Sequence, residues 1–196
     1  VVILIAYGGA FDDGERLLRP LRECAPLLAD QVGPLSYTAL QSIVENFNPP
    51  GLRNYWKSNY LRDLSDAAID VMVDHYRTVP APHTHLVVEH LGGAVSLVGE
   101  DETAVAHRAA LYNFLIVGMW ADAAEDAKVI GWVRELWEAL QPFSSGGLYV
   151  NYEADQDVGR VQAAYGPEKY ARLAAVKAKY DPTNLFRLNQ NITPAG

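Results

Sequence analysis

The sequence has a single cysteine, Cys24, in 196 residues. An internal disulfide and a multi-cysteine zinc site are therefore excluded; redox chemistry does not fix the compartment, and a reducing, cytoplasmic one is the easier fit. Cations are scarce: 16 Lys and Arg stand against 24 Asp and Glu, a formal charge of −8. That sign argues against general binding to nucleic acid or an anionic membrane, both of which need a cationic surface. Long apolar runs are missing too. Residues 1–7 and 114–121 are both too short to span a bilayer, and the first lacks the basic flank of a signal peptide. No Gly-x-Gly-x-x-Gly, Walker loop or nucleophile elbow occurs. What remains is ordinary globular composition, 49% hydrophobic and 20% charged. It suffices for one substantial core, or for one domain plus part of another.

Along the chain, residues 1–7 read as a buried strand stopped by Gly8-Gly9, so the chain is expected to open in mid-strand as part of something longer. Asp12-Asp13 opens a helix with an apolar stripe of Leu17, Leu18, Leu21, Cys24, Ala25 and Leu28. Pro20 falls inside it. Residues 37–47 fit a strand or a short helix, and Asn48-Pro49-Pro50-Gly51 is a turn. Residues 53–60 alternate aromatic and polar side chains, as a half-covered strand does. Ser65 is placed to cap a helix carrying Ala68, Ile69, Met72, Val73 and Tyr76 on one face.

Strands are expected at residues 84–91 and 95–98, across Gly92-Gly93. A longer one at 111–120 is apolar throughout, as when both faces are covered. Asp122 starts a helix striped with Val129, Ile130, Val133, Leu136, Trp137 and Leu140. Gly146-Gly147 leads into a strand at 148–152, and a last helix spans about 167–180 before Asp181-Pro182. Strands and helices mix without strict alternation. The expected class is α+β, an antiparallel or mixed sheet backed by helices on one face. Composition shifts near Gly146, dividing 1–146 from 147–196.

Few side-chain groupings carry chemistry by spacing alone. His83, His85 and His90 with Glu89 are close in sequence, and His83 and His85 would share a strand face as two metal ligands, but no spaced third ligand of clear geometry follows, so entry to a strand explains them better than a metal. Asp155 and Asp157 lack the glycine and terminal glutamate of a calcium loop. Cys24, on an apolar stripe, reads as an inert core thiol. Trp56, Tyr55, Tyr60, Tyr112, Trp120, Tyr149 and Tyr152 fall on or beside strands, where they either fill a core or floor a small-molecule pocket.

The C-terminal segment is the most specific. It reads Gly147-Leu148-Tyr149-Val150-Asn151-Tyr152, and later Lys177-Ala178-Lys179-Tyr180-Asp181-Pro182-Thr183-Asn184-Leu185-Phe186-Arg187-Leu188-Asn189-Gln190-Asn191-Ile192. Its amides both donate and accept, which suits the edge of a heterocycle. This pattern resembles the C-terminal signature of the berberine bridge enzyme-like FAD-linked oxidases of the vanillyl-alcohol oxidase superfamily. A weaker match surrounds Asn54-Tyr55-Trp56-Lys57-Ser58 and Glu89-His90-Leu91-Gly92-Gly93-Ala94. The resemblance implies that 1–146 is a substrate domain and 147–196 a segment docking on an FAD domain, which has no counterpart in this sequence.

The same resemblance implies an FAD-dependent oxidation of an alcohol or activated C–H, with dioxygen as acceptor, a small-molecule substrate and little activity in this chain alone. Tyr152 becomes the expected catalytic base. Tyr149, Asn151, Asn189 and Gln190 become flavin contacts, and Trp56, Tyr112 and Asn113 pocket residues. A free phenol ionises near pH ~10, so a phenolate at neutral pH costs roughly 4 kcal/mol. A cation such as Lys57 or Arg108 would have to offset that. On a regular strand Asn151 and Tyr152 face opposite ways, so only one of them meets the ligand unless the strand ends there. The competing readings are a non-catalytic ligand-binding or dimerisation module, with a homodimer through the sheet or an exposed domain interface, and a metal enzyme built on His83, His85 and His90.

Overall fold

The computed structural model describes residues 1–154 and 158–196; Asp155 and Asp157 lie outside the described residues. The chain divides into two compact units, Val1–Asn48 and Pro49–Gly196. No helix among the described residues is long and apolar enough to cross a membrane.

In the first unit, helix α1 (Phe11–Glu23) has Asp12 and Asp13 in its first turn and continues through Pro20. Acidic groups there complement the positive end of the helix dipole. Helix α2 (Tyr37–Ser42) is capped by Ser36, whose hydroxyl accepts from the Ala39 amide, and a 3-10 turn follows at Glu45–Phe47. Residues 37–47 thus resolve as helix and turn. Two expectations fail in this unit. Residues 1–7 form no strand, and Val1 to Leu4 are exposed. β-Branched composition supplies propensity only; a ladder also needs a partner strand. Cys24 is exposed rather than a core thiol, and its Sγ donates to the Leu21 carbonyl at 3.1 Å. The stripe it belongs to is uncovered, with Leu17, Leu21 and Leu28 all exposed.

The second unit holds strands β1 (Arg53–Leu61), β2 (His85–His90) and β3 (Tyr112–Trp120), antiparallel in the order β1-β3-β2. Its helices are α3 (Asp66–Tyr76), α4 (Ala94–Leu97), α5 (Asp126–Ala139), α6 (Val158–Tyr165) and α7 (Pro167–Tyr180). Ser65 caps α3, its hydroxyl accepting from the Ala68 amide. Pro167 occupies the first turn of α7, where a missing N–H costs nothing.

Strand alternation sorts the sheet into two faces. Phe114 and Ile116 of β3, Leu61 of β1 and Leu86 of β2 turn toward α3 and α5. There they meet Ala68, Met72, Val129, Val133, Leu136 and Leu140, and most of this core is solvent-free. Each large side chain so buried contributes about 1.5–3 kcal/mol. The indoles of this layer find partners: Trp132 donates to the Thr78 hydroxyl at 3.2 Å, and Trp137 to the Ser58 carbonyl at 3.3 Å. The expected α+β class, a sheet with helices on one face, is what the chain adopts. The opposite face carries Leu115, Val117 and Met119, against which Leu52, Trp56, Val87 and Tyr152 pack.

Two expected strands are absent. Residues 95–98 fall largely in the helical turn α4, entered from Gly93 at a φ of 53°. Residues 148–152 contain a 3-10 turn, Val150–Tyr152, closed by the Tyr152 amide donating to the Tyr149 carbonyl at 2.9 Å. Gly146 and Gly147, at φ of 81° and 73°, bring the chain round into that turn. Beyond it, the Ala154 amide reaches the Trp56 carbonyl of β1 at 3.3 Å.

Candidate active site

The register of the sheet builds the site. Tyr60 of β1 lies opposite Asn113 of β3, which lies opposite Glu89 of β2. These three therefore form one row across the sheet, on the face away from α5. The Asn113 side-chain amide donates to Glu89 Oε2 at 2.7 Å, and the Tyr152 hydroxyl donates to Glu89 Oε1 at 2.9 Å. One carboxylate thus gathers an amide from the sheet and a phenol from the C-terminal segment. Asn113 is 2% exposed, and its Oδ1 has no hydrogen-bond partner.

A cavity of about 130 Å³ opens beside this row. Tyr60, Glu89, Asn113 and Tyr149 furnish its polar side, and Leu91, Val95, Val105, Ala106 and Ala110 its apolar wall. His107 and Arg108 complete the lining. The His107 ring rests on Tyr60 with centroids 5.3 Å apart, and its Nε2 lies 3.0 Å from the Ala163 carbonyl. A Cβ on Gly147 would meet that ring, and its φ of 73° already favours glycine there. A second hollow, about 150 Å³, is lined by Asn54, Trp56, Asn151, Glu153 and Ala154. Trp56 Nε1 is buried and has no hydrogen-bond partner.

Tyr152 lines neither hollow but joins their linings. It is half-buried, with the Tyr149 ring at 4.9 Å and the Trp56 ring at 6.5 Å, both edge-on. Its phenol is pushed up to about 12, first by burial and then by the Glu89 carboxylate. Tyr60 is likewise raised to about 12, chiefly by burial, with Arg108 opposing the rise. Neither candidate cation sits where a Tyr152 phenolate would need it. Lys57 projects to the helix-covered face, 3.6 Å from the Glu153 carboxylate and 4.5 Å from the Trp137 ring. Arg108 spends its terminal nitrogens on the Val95 carbonyl and the Thr103 hydroxyl.

The remaining sequence-derived positions distribute unevenly. Asn113 lies in the first cavity and Trp56 in the second, whereas Tyr112 packs on the helix-covered face and against His90. Asn151 is exposed at the second hollow and donates to the Tyr149 hydroxyl at 2.8 Å. The 3-10 turn at residues 150–152 therefore lets both Asn151 and Tyr152 reach a hollow or its rim. Gln190 donates to the Glu153 carbonyl at 2.7 Å, fastening the tail, and Asn189 is exposed with φ of 60°. His83, His85 and His90 do not converge: His85 Nδ1 sits 2.8 Å from the His83 carbonyl, while His90 faces Tyr112. Among the described residues no group of three His, Cys, Asp or Glu could hold a metal ion. In the sequence Glu89 stands out only as a neighbour of histidines and as the head of the Glu89–Ala94 segment; its place opposite Asn113 comes from non-local pairing.

Residues 148–193 match the family model described as berberine and berberine like. That C-terminal segment carries the berberine bridge enzyme-like domain. The chain's relatives include an FAD-linked oxidoreductase of Dictyostelium discoideum, 24% identical over 99% of this chain and 42% of that protein. The (R)-6-hydroxynicotine oxidase of Paenarthrobacter nicotinovorans is 31% identical over 100% of this chain and 44% of the relative. The crystal structure of 6-hydroxy-D-nicotine oxidase from Arthrobacter nicotinovorans superimposes with a TM-score of 0.78 at 27% identity, covering 95% of this chain and 43% of that one. The chain thus spans less than half the length of these relatives. Its α+β architecture is that of the family's substrate domain.

Proposed function

We propose that this chain forms the substrate side of an FAD-linked oxidoreductase that oxidises an alcohol or activated C–H on a small molecule. FAD is held chiefly by sequence outside residues 1–196, with residues 1–146 shaping the substrate side and 147–196 facing the cofactor. The flavin supplies the hydride acceptor and its reoxidation by dioxygen. The second hollow fits such a group: Trp56 Nε1 is a buried donor without a partner, beside the exposed amide of Asn151. Trp56, Tyr149 and Asn151 would hold the heterocycle's edge, while Asn189 and Gln190 order the tail behind them.

The observation that carries the reading is the hydrogen bond from Tyr152 to Glu89. With its phenol near 12, ionising Tyr152 at pH 7 costs about 7 kcal/mol. That is some 3 kcal/mol more than for a free phenol. Tyr152 therefore does not act as a resident phenolate. It acts as a relay: the substrate hydroxyl gives its proton to Tyr152 Oη as the tyrosine passes its own to Glu89 Oε1, leaving a neutral phenol and a carboxylic acid. Asn113 holds the other carboxylate oxygen so that Oε1 stays aimed at the phenol.

In the flavin-loaded full-length protein, Tyr152→Phe and Glu89→Gln should each slow flavin reduction by about 10²–10⁴, the range of a positioned acid–base group. Both should leave flavin bound. A near-normal rate for Glu89→Gln removes the carboxylate from the path. A near-normal rate for Tyr152→Phe with a slow Glu89→Gln makes Glu89 the direct acceptor and discards the relay.

A further inference from the structure

The cavity wall opposite the polar row is a loop, residues 98–110, and its turn at His107 is held by a side chain outside the cavity. His107 has a φ of 60°, uncommon for a residue with a Cβ. Its amide donates to Glu100 Oε1 at 3.1 Å, and the next amide, of Arg108, donates to Glu100 Oε2 at 3.2 Å. Lys169 of α7, 6% exposed, donates to Glu100 Oε1 at 2.8 Å and also to the Glu100 carbonyl. These contacts hold the Glu100 carboxyl below its usual range, the lysine first among them. The two residues whose amides are gripped are those that carry the His107 ring onto Tyr60 and Arg108 into the cavity lining.

We infer that Glu100 is a positioning residue for the substrate cavity, and that Lys169 couples it to the C-terminal helix α7. Two amides bonded to one carboxylate fix both the direction and the strain of the 107–108 turn, because each charge-assisted bond is stronger than a neutral one. Glu100 touches no reacting atom. Its effect passes through the backbone to the placement of His107 and Arg108, and so to how the cavity receives a ligand. The inference rests on reading this cavity as the substrate site.

The test uses the 196-residue chain with Glu100→Gln, Lys169→Met, and phenol as a ring-sized hydroxylic probe; a cavity of comparable volume holds one benzene. A glutamine can accept only one of the two amide bonds with its oxygen. In Glu100→Gln the His107 and Arg108 amides should exchange about tenfold faster or more, in keeping with loss of bonds to a charged group. The Ile116 and Val117 amides of β3 should be unchanged. Phenol, followed by the shift of the Asn113 side-chain amide, should bind the wild-type chain and bind Glu100→Gln several-fold more weakly. Lys169→Met should show the same pattern at smaller amplitude. Unchanged exchange at His107 and Arg108 overturns the inference, as does faster exchange with unaltered phenol affinity, and both leave the proposed function standing. Failure of phenol to perturb Asn113 in the wild-type chain contradicts the cavity assignment itself, and the inference falls with it.

Discussion

Gly118 on the central strand lies close against α5, and alanine there is a sharp probe of the packing that sets the site's floor. A Cβ at 118 would lie 2.9 Å from Val133 Cγ2, 3.2 Å from Val129 Cγ1 and 3.0 Å from the Tyr55 carbonyl oxygen. Val129 and Val133 are solvent-free, and Tyr55 pairs with Gly118 in the β1–β3 ladder. Relief therefore requires moving a buried helix or breaking the ladder. Overpacking of this kind costs about 1–3 kcal/mol, offset by roughly 0.5–1 kcal/mol from removing a strand glycine. A net loss of up to about 2.5 kcal/mol is expected, a fall in melting temperature of up to roughly 7 °C for a unit of this size. Thermal and urea denaturation of Gly118→Ala, Val133→Ala and the double variant would measure it. Val133→Ala makes room, so Gly118→Ala should cost less by about 1 kcal/mol in that background. A clearly stabilising Gly118→Ala, or strict additivity in the cycle, would refute the close-packing argument.

Glu153 is nearly solvent-free in its side chain and meets both Lys57 and Arg160, beneath the Trp137 ring that both cations approach. Removing one partner of a buried ionic group strands the others, so Glu153→Ala should lower stability by about 3 kcal/mol in urea titration. Asp181 accepts from Lys177 and from the Leu185 and Phe186 amides, and its carboxyl is held below the usual range by Lys177 first. A depressed folded-state value means this tie is complete above the unfolded pKa of about 3.9 and fades as pH falls through the lower folded value. Exchange of the Leu185 and Phe186 amides, after correction for intrinsic rates, should accelerate below about pH 4, and Asp181→Asn should abolish that dependence.

The elements legible in the sequence were those with a local cause. Ser65 caps α3 because its hydroxyl is three residues from an unsatisfied amide, and α7 begins at Pro167 and ends at Tyr180 beside the Asp181-Pro182 stop. β3 was legible because both of its faces are covered, and β1 because its aromatics alternate. What failed depended on distant partners. Residues 1–7 look like a strand but pair with nothing among the described residues. Leu148 to Tyr152 has strand composition, yet two left-handed glycines and a local amide bond fold it into a turn. Tyr152 could be singled out from the C-terminal pattern. Its environment could not, because Glu89 arrives from 63 residues away through sheet register. One part of that environment differs from expectation: the phenol meets a carboxylate where an offsetting cation was called for.

Ultraviolet titration of the tyrosinate, taken as the difference between the wild-type chain and Tyr152→Phe, measures that role directly. The relay predicts the Tyr152 signal near pH 12 and a partial fall when Glu89→Gln removes the carboxylate, with burial sustaining the rest of the rise. Ionisation at or below pH 10 in the wild-type chain, indifferent to Glu89, would contradict the account.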